Sequence, residues 1–113
     1  MPAFKPAKLL RILCSEDDQC QGKPLYKAVV DKCLEMKIAG ATVFRGAEGY
    51  GESAEIHRGR LLTHNLPIVV TIVDSAEAIG RLLPALEEMI DTGLIAISEV
   101  EAWRVEKAAP TIR

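Results

Sequence analysis

The residue types best suited to binding chemistry are concentrated in one segment, residues 46–59, which holds four of the eight glycines of the chain. Glycine adopts positive φ at little cost, and successive residues in such conformations can turn their backbone N–H groups toward one anion. Gly46, Gly49 and Gly51 are therefore candidates for an anion cradle. Their spacing matches neither a Walker loop nor a dinucleotide fingerprint, so a flexible turn is the alternative interpretation.

Basic side chains accompany this glycine-rich segment. Arg45 precedes it, and His57, Arg58 and Arg60 lie at its far end. A guanidinium group presents a fork of N–H donors that fits a phosphate or a carboxylate. These residues extend the predicted anion site, and they are equally suited to docking on a protein target. The alternative is a solvated, ion-paired loop, since the segment also contains the acidic residues Glu48, Glu52 and Glu55.

Two histidines, His57 and His64, offer a second kind of chemistry, because imidazole binds divalent transition-metal ions. Glu52, Glu55 and Cys20 are conceivable further ligands. In a strand that begins near residue 56, the separation of the two histidines places them on opposite faces of a sheet. No metal site within one chain is predicted, and a site shared between subunits is the runner-up to the anion site.

Nucleophilic chemistry has less support. Cys14 is followed by Ser15, Glu16 and Asp17, but a catalytic thiol needs a positioned base. Nothing in the sequence places either histidine near this thiol. The sequence therefore predicts no enzyme activity.

Composition narrows the classes of partner. The chain has 113 residues, 49% of them hydrophobic, and a net charge of −2, so neither nucleic acid nor an anionic membrane is an expected partner. The sequence contains no apolar run long enough to span a bilayer and no signal peptide. Its three cysteines are too few for a disulfide framework. We expect a cytoplasmic protein with reduced thiols.

Hydrophobic periodicity predicts the elements that position these residues, within one domain over residues 1–113. The predicted elements are a strand at 8–15, a helix from 24 to about 37, a strand at 41–45, a loop at 46–59, a strand at 66–74, a helix from 75 to 93, and one or two closing strands at 95–97 and 100–105.

Several of these predictions concern element ends. Pro24 suits a first helical position, and Lys23 before it is either an anion contact at the helix start or an ordinary exposed lysine. Ser75 and Asp74 are candidate N-caps of the second helix. Pro84 lies inside that helix, so a kink near Gly80 is expected.

The element order indicates a ferredoxin-like βαββαβ fold of the α+β class, in which two helices cover one face of an antiparallel sheet. The near-continuous apolar strand at 66–74 is typical of a central strand buried on both faces. Because the helices cover only one face, the other face needs a partner. We expect identical subunits to cover it in a cyclic assembly.

Short motifs spread over nearly the whole chain resemble those of domain-of-unknown-function family 190. They are GKPLY at 22–26, AGATV at 39–43, RG at 45–46, GYG at 49–51, IH at 56–57 and LP at 66–67. That family is similar to the PII signal-transduction proteins, and residues 40–53 resemble the strand and the start of the mobile T-loop of PII. The resemblance implies a homotrimer that binds an adenine nucleotide or another small effector between subunits and engages a protein target through this loop.

The sequence departs from PII at one functional position. Only Leu94 separates Asp91-Thr92-Gly93 from Ile95, where PII proteins have a longer glycine-rich, basic loop that holds the nucleotide phosphates. The tail after Val105 also lacks the PII pattern. The resemblance therefore does not extend to triphosphate binding in the PII manner.

The leading hypothesis is a PII-like regulatory trimer that senses a small anionic effector, with an adenine nucleotide as candidate. Its predicted ligand contacts are Lys23, Arg45, Gly46, Gly49, Gly51, His57 and Arg58. Two alternatives stay open. One is a metal-binding relative of the divalent-ion-tolerance proteins, with His57 or His64 as ligand, and the other is a ligand-independent adaptor of a membrane transporter or channel.

Overall fold

The computed structural model describes residues 4–50, 57–58 and 66–107 of the chain. The strands are β1 (Lys5–Ser15), β2 (Gln19–Cys20), β3 (Lys23–Pro24), β4 (Thr42–Arg45), β5 (Glu48–Gly49), β6 (His57–Arg58), β7 (Pro67–Asp74) and β8 (Leu94–Ala102). The helices are α1 (Leu25–Glu35) and α2 (Ala76–Met89).

The main sheet has the strand order β4-β7-β1-β8, and each neighbouring pair is antiparallel. Helix α1 connects β1 to β4 by way of the short strands β2 and β3, and α2 connects β7 to β8. This is the ferredoxin-like arrangement, so the predicted fold class is confirmed. The closing segment is one strand, β8, rather than two.

The core lies between this sheet and the two helices. Alternate residues of the central strands point into it, as the two-residue period of a strand requires. Leu10, Ile12 and Val70 are fully buried there. The other buried apolar residues are Leu25, Ala28, Val29, Cys33, Ile38, Ile68, Ile72, Ala78, Ile79, Leu82 and Leu86.

The opposite face of the sheet is open in the single chain, so the burial of the central strand on both faces is not completed within one subunit. Strand β7 is central, but only Ile68, Val70 and Ile72 are buried, and the residues between them are not. Val73 is exposed because no helix covers its side of the sheet. The long apolar run therefore indicates a strand with one covered face and one open apolar face.

The helix ends partly match the predictions. The Ser75 hydroxyl accepts a hydrogen bond from the Ala78 N–H at 3.1 Å, which confirms the predicted N-cap. Pro24 is the N-cap residue of α1 rather than its first helical residue, and its extended ψ of 134° explains the difference. Helix α2 continues through Pro84 and ends at Met89, before Gly93. The kink near Gly80 stays a prediction.

Candidate functional site

The guanidinium of Arg45 is the centre of a polar cluster at the start of the glycine-rich segment. Its Nε donates a hydrogen bond to Oε2 of Glu16 at 3.0 Å, and its Nη2 donates to the hydroxyl of Tyr26 at 3.3 Å. Its Cζ also lies 5.8 Å from the centre of the Tyr26 ring, within the range of a cation–π contact. We call Glu16, Tyr26 and Arg45 the loop-root cluster.

Strand register and chain connections bring these three residues together. Arg45 ends β4 and is paired with Ile68 of β7, so its side chain lies on the helix-covered side of the sheet. Tyr26 lies in the first turn of α1, and Glu16 directly follows β1. The start of α1 and the ends of β1 and β4 thus meet at one edge, where the Arg45 side chain remains 46% exposed.

Backbone hydrogen bonds hold the start of the glycine-rich segment and the start of β7 at the same edge. The Gly46 N–H donates to the carbonyl of Pro67 at 2.7 Å, and the Glu16 N–H donates to the carbonyl of Leu66 at 2.8 Å. Residues 46 and 66–67 are therefore fixed relative to the end of β1. The loop-root cluster therefore lies beside the start of the glycine-rich segment and the residue that precedes β7.

The structure gives a packing reason for two of the glycines. A Cβ at Gly46 would lie 2.7 Å from Cγ of Pro67, and one at Gly49 would lie 3.3 Å from the same atom. Neither glycine has a positive φ, so the conformational reason for an anion cradle does not apply to them. The Gly46 N–H is also committed to Pro67. A ligand contact by either glycine stays a prediction.

The rest of the predicted loop is only partly described. His57 and Arg58 form β6, and their backbones pair with Gly49 and Glu48 of β5. A short antiparallel ladder therefore interrupts the segment that glycine content predicted as a loop throughout. Gly51 and His64 lie outside the described residues, as do Glu52, Glu55 and Arg60. Their predicted roles stay predictions.

Lys23 has a different setting from Arg45. Its Nζ donates to Oδ2 of Asp31 at 2.7 Å, and both side chains are more than half exposed. It lines an open groove of 510 Å³ between α1 and α2, which we call the helical groove. The acidic residues of this groove are Asp31, Glu35, Glu88 and Asp91, and its basic residues are Lys23 and Lys32.

The charges of the helical groove disfavour an anion. Lys32 pairs with Glu35 at 3.3 Å, so both lysines are neutralised by acidic neighbours. The remaining carboxylates, Glu88 and Asp91, give the groove an excess of negative charge. Any anion in this groove would meet like charge.

The thiols and the metal candidates also have definite settings. Burial, with the carboxylate of Asp18 as a second cause, raises the pKa of Cys14 to about 11. Burial raises the pKa of Cys33 to about 11 as well. Both thiols are therefore protonated at neutral pH, the opposite of what a thiolate nucleophile needs. Within residues 4–50, 57–58 and 66–107, no three His, Cys, Asp or Glu side chains group as metal ligands would.

Sequence reasoning did not assign a role to Tyr26 or Glu16. Tyr26 stands in the GKPLY motif at a helix start, and Glu16 in a polar stretch after a strand. The sequence offered one signal for them, since a carboxylate and a hydroxyl can each accept a hydrogen bond from an arginine. Their contacts with Arg45 depend on sheet register across 29 and 19 positions, which residue types alone do not reveal.

The chain belongs to the DUF190 family, described as an uncharacterized ACR family, whose model matches residues 7–102. This confirms the family that the short motifs indicate. A "UPF0166 protein" of Aquifex aeolicus is 44% identical over 96 residues, which are 83% of this chain and 90% of the relative.

Solved structures share the fold at lower sequence identity. CPII, a nitrogen regulatory PII-like protein from Thiomonas intermedia K12 bound to ADP, AMP and bicarbonate, has a TM-score of 0.67 and 17% identity, over 92% of this chain and 94% of its own. A putative PII-like signaling protein from Thermus thermophilus has a TM-score of 0.62 and 21% identity, over 90% of this chain and 92% of its own. The fold is therefore PII-like.

Neither helix among the described residues has the length and apolar character needed to cross a membrane.

Proposed function

We propose that this protein is a PII-like regulator that binds a small anionic effector at the loop-root cluster and signals through the glycine-rich segment that starts there. An adenine nucleotide is the first candidate effector. Catalysis is not part of the proposal, and the cytoplasm remains the predicted compartment. The partner we expect is a protein target, for example a membrane transporter or channel.

The state of the Arg45 guanidinium carries this proposal. A guanidinium has five N–H donors, and two of them are used by Glu16 and Tyr26. The other donors have no partner among the residues that the structure describes, and the side chain is about half exposed. A positioned, solvent-accessible fork of this kind suits two oxygens of a phosphate or carboxylate.

The CPII structure guides the choice of ligands to test. That protein is bound to ADP, AMP and bicarbonate, and it shares this fold. In the present chain only residues 90–93 separate α2 from β8, so there is no room for the long phosphate-binding loop of PII. ADP, AMP and bicarbonate are therefore better candidates than ATP.

The open face of the sheet supports a homotrimer. It exposes apolar side chains from all four strands of the main sheet, and a solvated surface of this kind is typical of an interface. Its most exposed large residues are Leu13, Phe44, Val73 and Leu94. We expect light scattering to give a mass of three times the 12.3 kDa of one chain.

Thermal unfolding with and without ligand tests the proposal, because a ligand of the native state stabilises it by mass action. We expect ADP, AMP or bicarbonate to raise the midpoint of the wild type. Arg45→Ala should abolish most of the shift, and the added replacement of Arg58 should leave no measurable shift. Arg81→Ala is a matched control, because Arg81 is an exposed arginine of α2.

Other outcomes identify the alternatives. A shift with a divalent metal alone, lost on replacement of His57 or His64, would favour the metal-binding relative. No shift with any anion or metal would refute the sensor and favour an adaptor that binds its target without a small ligand.

A further inference from the structure

We propose that Glu16 is an internal counter-ion that competes with the anionic effector for Arg45 and so sets the affinity of the site. The inference rests on the proposed function, because it takes Arg45 as the anion-binding group. It adds a residue that no motif in the sequence marks. It also predicts the sign of the effect of that residue, whose negative charge weakens effector binding.

The geometry assigns this role to Glu16 rather than to its acidic neighbours. Its carboxylate lies 3.0 Å from Nε of Arg45, and its side chain is 24% exposed. Asp18 is committed elsewhere, because its carboxylate accepts the Ser15 N–H at 2.8 Å. An anion that docks on the free edge of the guanidinium comes within a few ångströms of the Glu16 charge. The two negative charges repel each other, and partial burial limits the screening by solvent.

The effector anion can replace the Glu16 carboxylate while the Arg45 side chain stays in position. Tyr26 holds the guanidinium through its hydroxyl at 3.3 Å and through its ring. A partly exposed ion pair of this kind changes an equilibrium constant by only about fivefold. An effector phosphate can therefore displace the Glu16 carboxylate while Tyr26 keeps Arg45 in place.

Displacement of Glu16 also reaches the glycine-rich segment. The backbone N–H of Glu16 donates to the carbonyl of Leu66 at 2.8 Å, next to the start of β7. Its side chain accepts a hydrogen bond from Arg45, next to the start of the glycine-rich segment. Glu16 thus links the end of β4 to the start of β7, the two strands between which the segment lies. An effector that displaces Glu16 from Arg45 breaks the side-chain hydrogen bond of Glu16 and leaves its backbone hydrogen bond to Leu66. Effector binding is thereby coupled to the glycine-rich segment.

The test is a calorimetric titration of ADP, and separately of inorganic phosphate, into the wild type and Glu16→Gln. Glutamine keeps the size of the side chain and an acceptor for the Arg45 Nε, but it removes the charge. We expect Glu16→Gln to bind about three to ten times more tightly than the wild type. A residue with a merely structural role would lose affinity when replaced.

The control is Glu99→Gln, which removes the same charge from a more exposed ion pair, that of Glu99 with Lys8 at 3.4 Å, away from the loop-root cluster. Its affinity should equal that of the wild type. Circular dichroism and the unfolding midpoint check that each variant is folded, and Glu16→Ala replaces Glu16→Gln if the latter is not.

The outcomes separate the two proposals. Tighter binding by the Glu16 variant alone supports the counter-ion, as does binding by this variant where the wild type shows none. Equal or weaker binding than a binding-competent wild type overturns the counter-ion and leaves the proposed function standing. If neither the wild type nor the variant binds ADP or phosphate, the proposed function fails for a phosphate-bearing effector, and the counter-ion fails with it.

Discussion

The loop-root cluster and the helical groove both contain basic side chains beside α1, but they differ in net charge and in the state of those side chains. In the helical groove, Lys23 and Lys32 are each paired with a carboxylate, and two further carboxylates line the walls. At the loop root, one carboxylate faces one guanidinium, whose other donors have no partner among the described residues. The charges therefore favour an anion at Arg45 over one in the helical groove.

An anion site depends on which hydrogen-bond donors of a cationic side chain are left without a partner. A lysine presents a point charge, and one close carboxylate neutralises it. An arginine bound at Nε and at one N–H of Nη2 still presents an edge of its fork to solvent.

Arg45→Ala should have the largest effect. Charge-assisted hydrogen bonds contribute about 1.5–3 kcal/mol each, so the loss of the guanidinium should weaken ADP binding by about 10- to 100-fold. Calorimetric titration measures this loss, with Arg81→Ala as the control that keeps wild-type affinity. Unchanged affinity in Arg45→Ala would show that Arg45 does not bind the anion.

Gly46→Ala should destabilise the loop root. The added Cβ would lie 2.7 Å from Cγ of Pro67, and overpacking of this kind typically costs about 1–3 kcal/mol. Urea unfolding should show this loss in the free energy of unfolding. Gly40→Ala is the control, since a Cβ there has nothing within 4 Å. Equal stability of the two variants would show that Pro67 moves aside.

Tyr26→Phe should have a smaller effect on ADP affinity, about two- to threefold. The variant loses the hydrogen bond to Nη2 of Arg45 at 3.3 Å but keeps the ring that faces the guanidinium. Tyr26→Ala, which also removes the ring, should lose more. Equal losses in the two variants would show that the hydroxyl alone positions Arg45.

Lys23→Ala should leave ADP affinity within about twofold of the wild type, because Asp31 already neutralises Lys23 and exposed pairs contribute little. The same titration measures it. The sequence predicts Lys23 as a ligand contact, so this variant decides between the helical groove and the loop-root cluster. A loss as large as that of Arg45→Ala would move the anion site to the helical groove.

The fold was largely predictable because its signals are local. The three- and four-residue spacing of Leu25, Ala28 and Val29 predicts α1, and the hydroxyl of Ser75 predicts the start of α2. The ladder of β5 and β6 was not predictable, since glycine-rich residues show no alternation. The open face of the sheet was predictable from the two helices on one side, but the apolar run of β7 does not by itself reveal whether one subunit or its neighbours cover the second face.

The candidate site was predictable only in part. Arg45 could be selected because it is a guanidinium beside a glycine-rich segment. Its partners could not, since the contact with Glu16 depends on the order and register of β1, β7 and β4. Gly46 was selected for backbone freedom, whereas the structure shows that its lack of a side chain admits Pro67.

The most direct test of the loop-root site is the side-chain Nε–Hε NMR resonance of Arg45, assigned by its absence from Arg45→Ala and followed while ADP is added to the wild type. We predict a saturable shift of this resonance, with the resonance of Arg81 unmoved. A titration in which ADP shifts backbone resonances but leaves the Arg45 resonance unmoved would contradict the assignment of the anion site to Arg45.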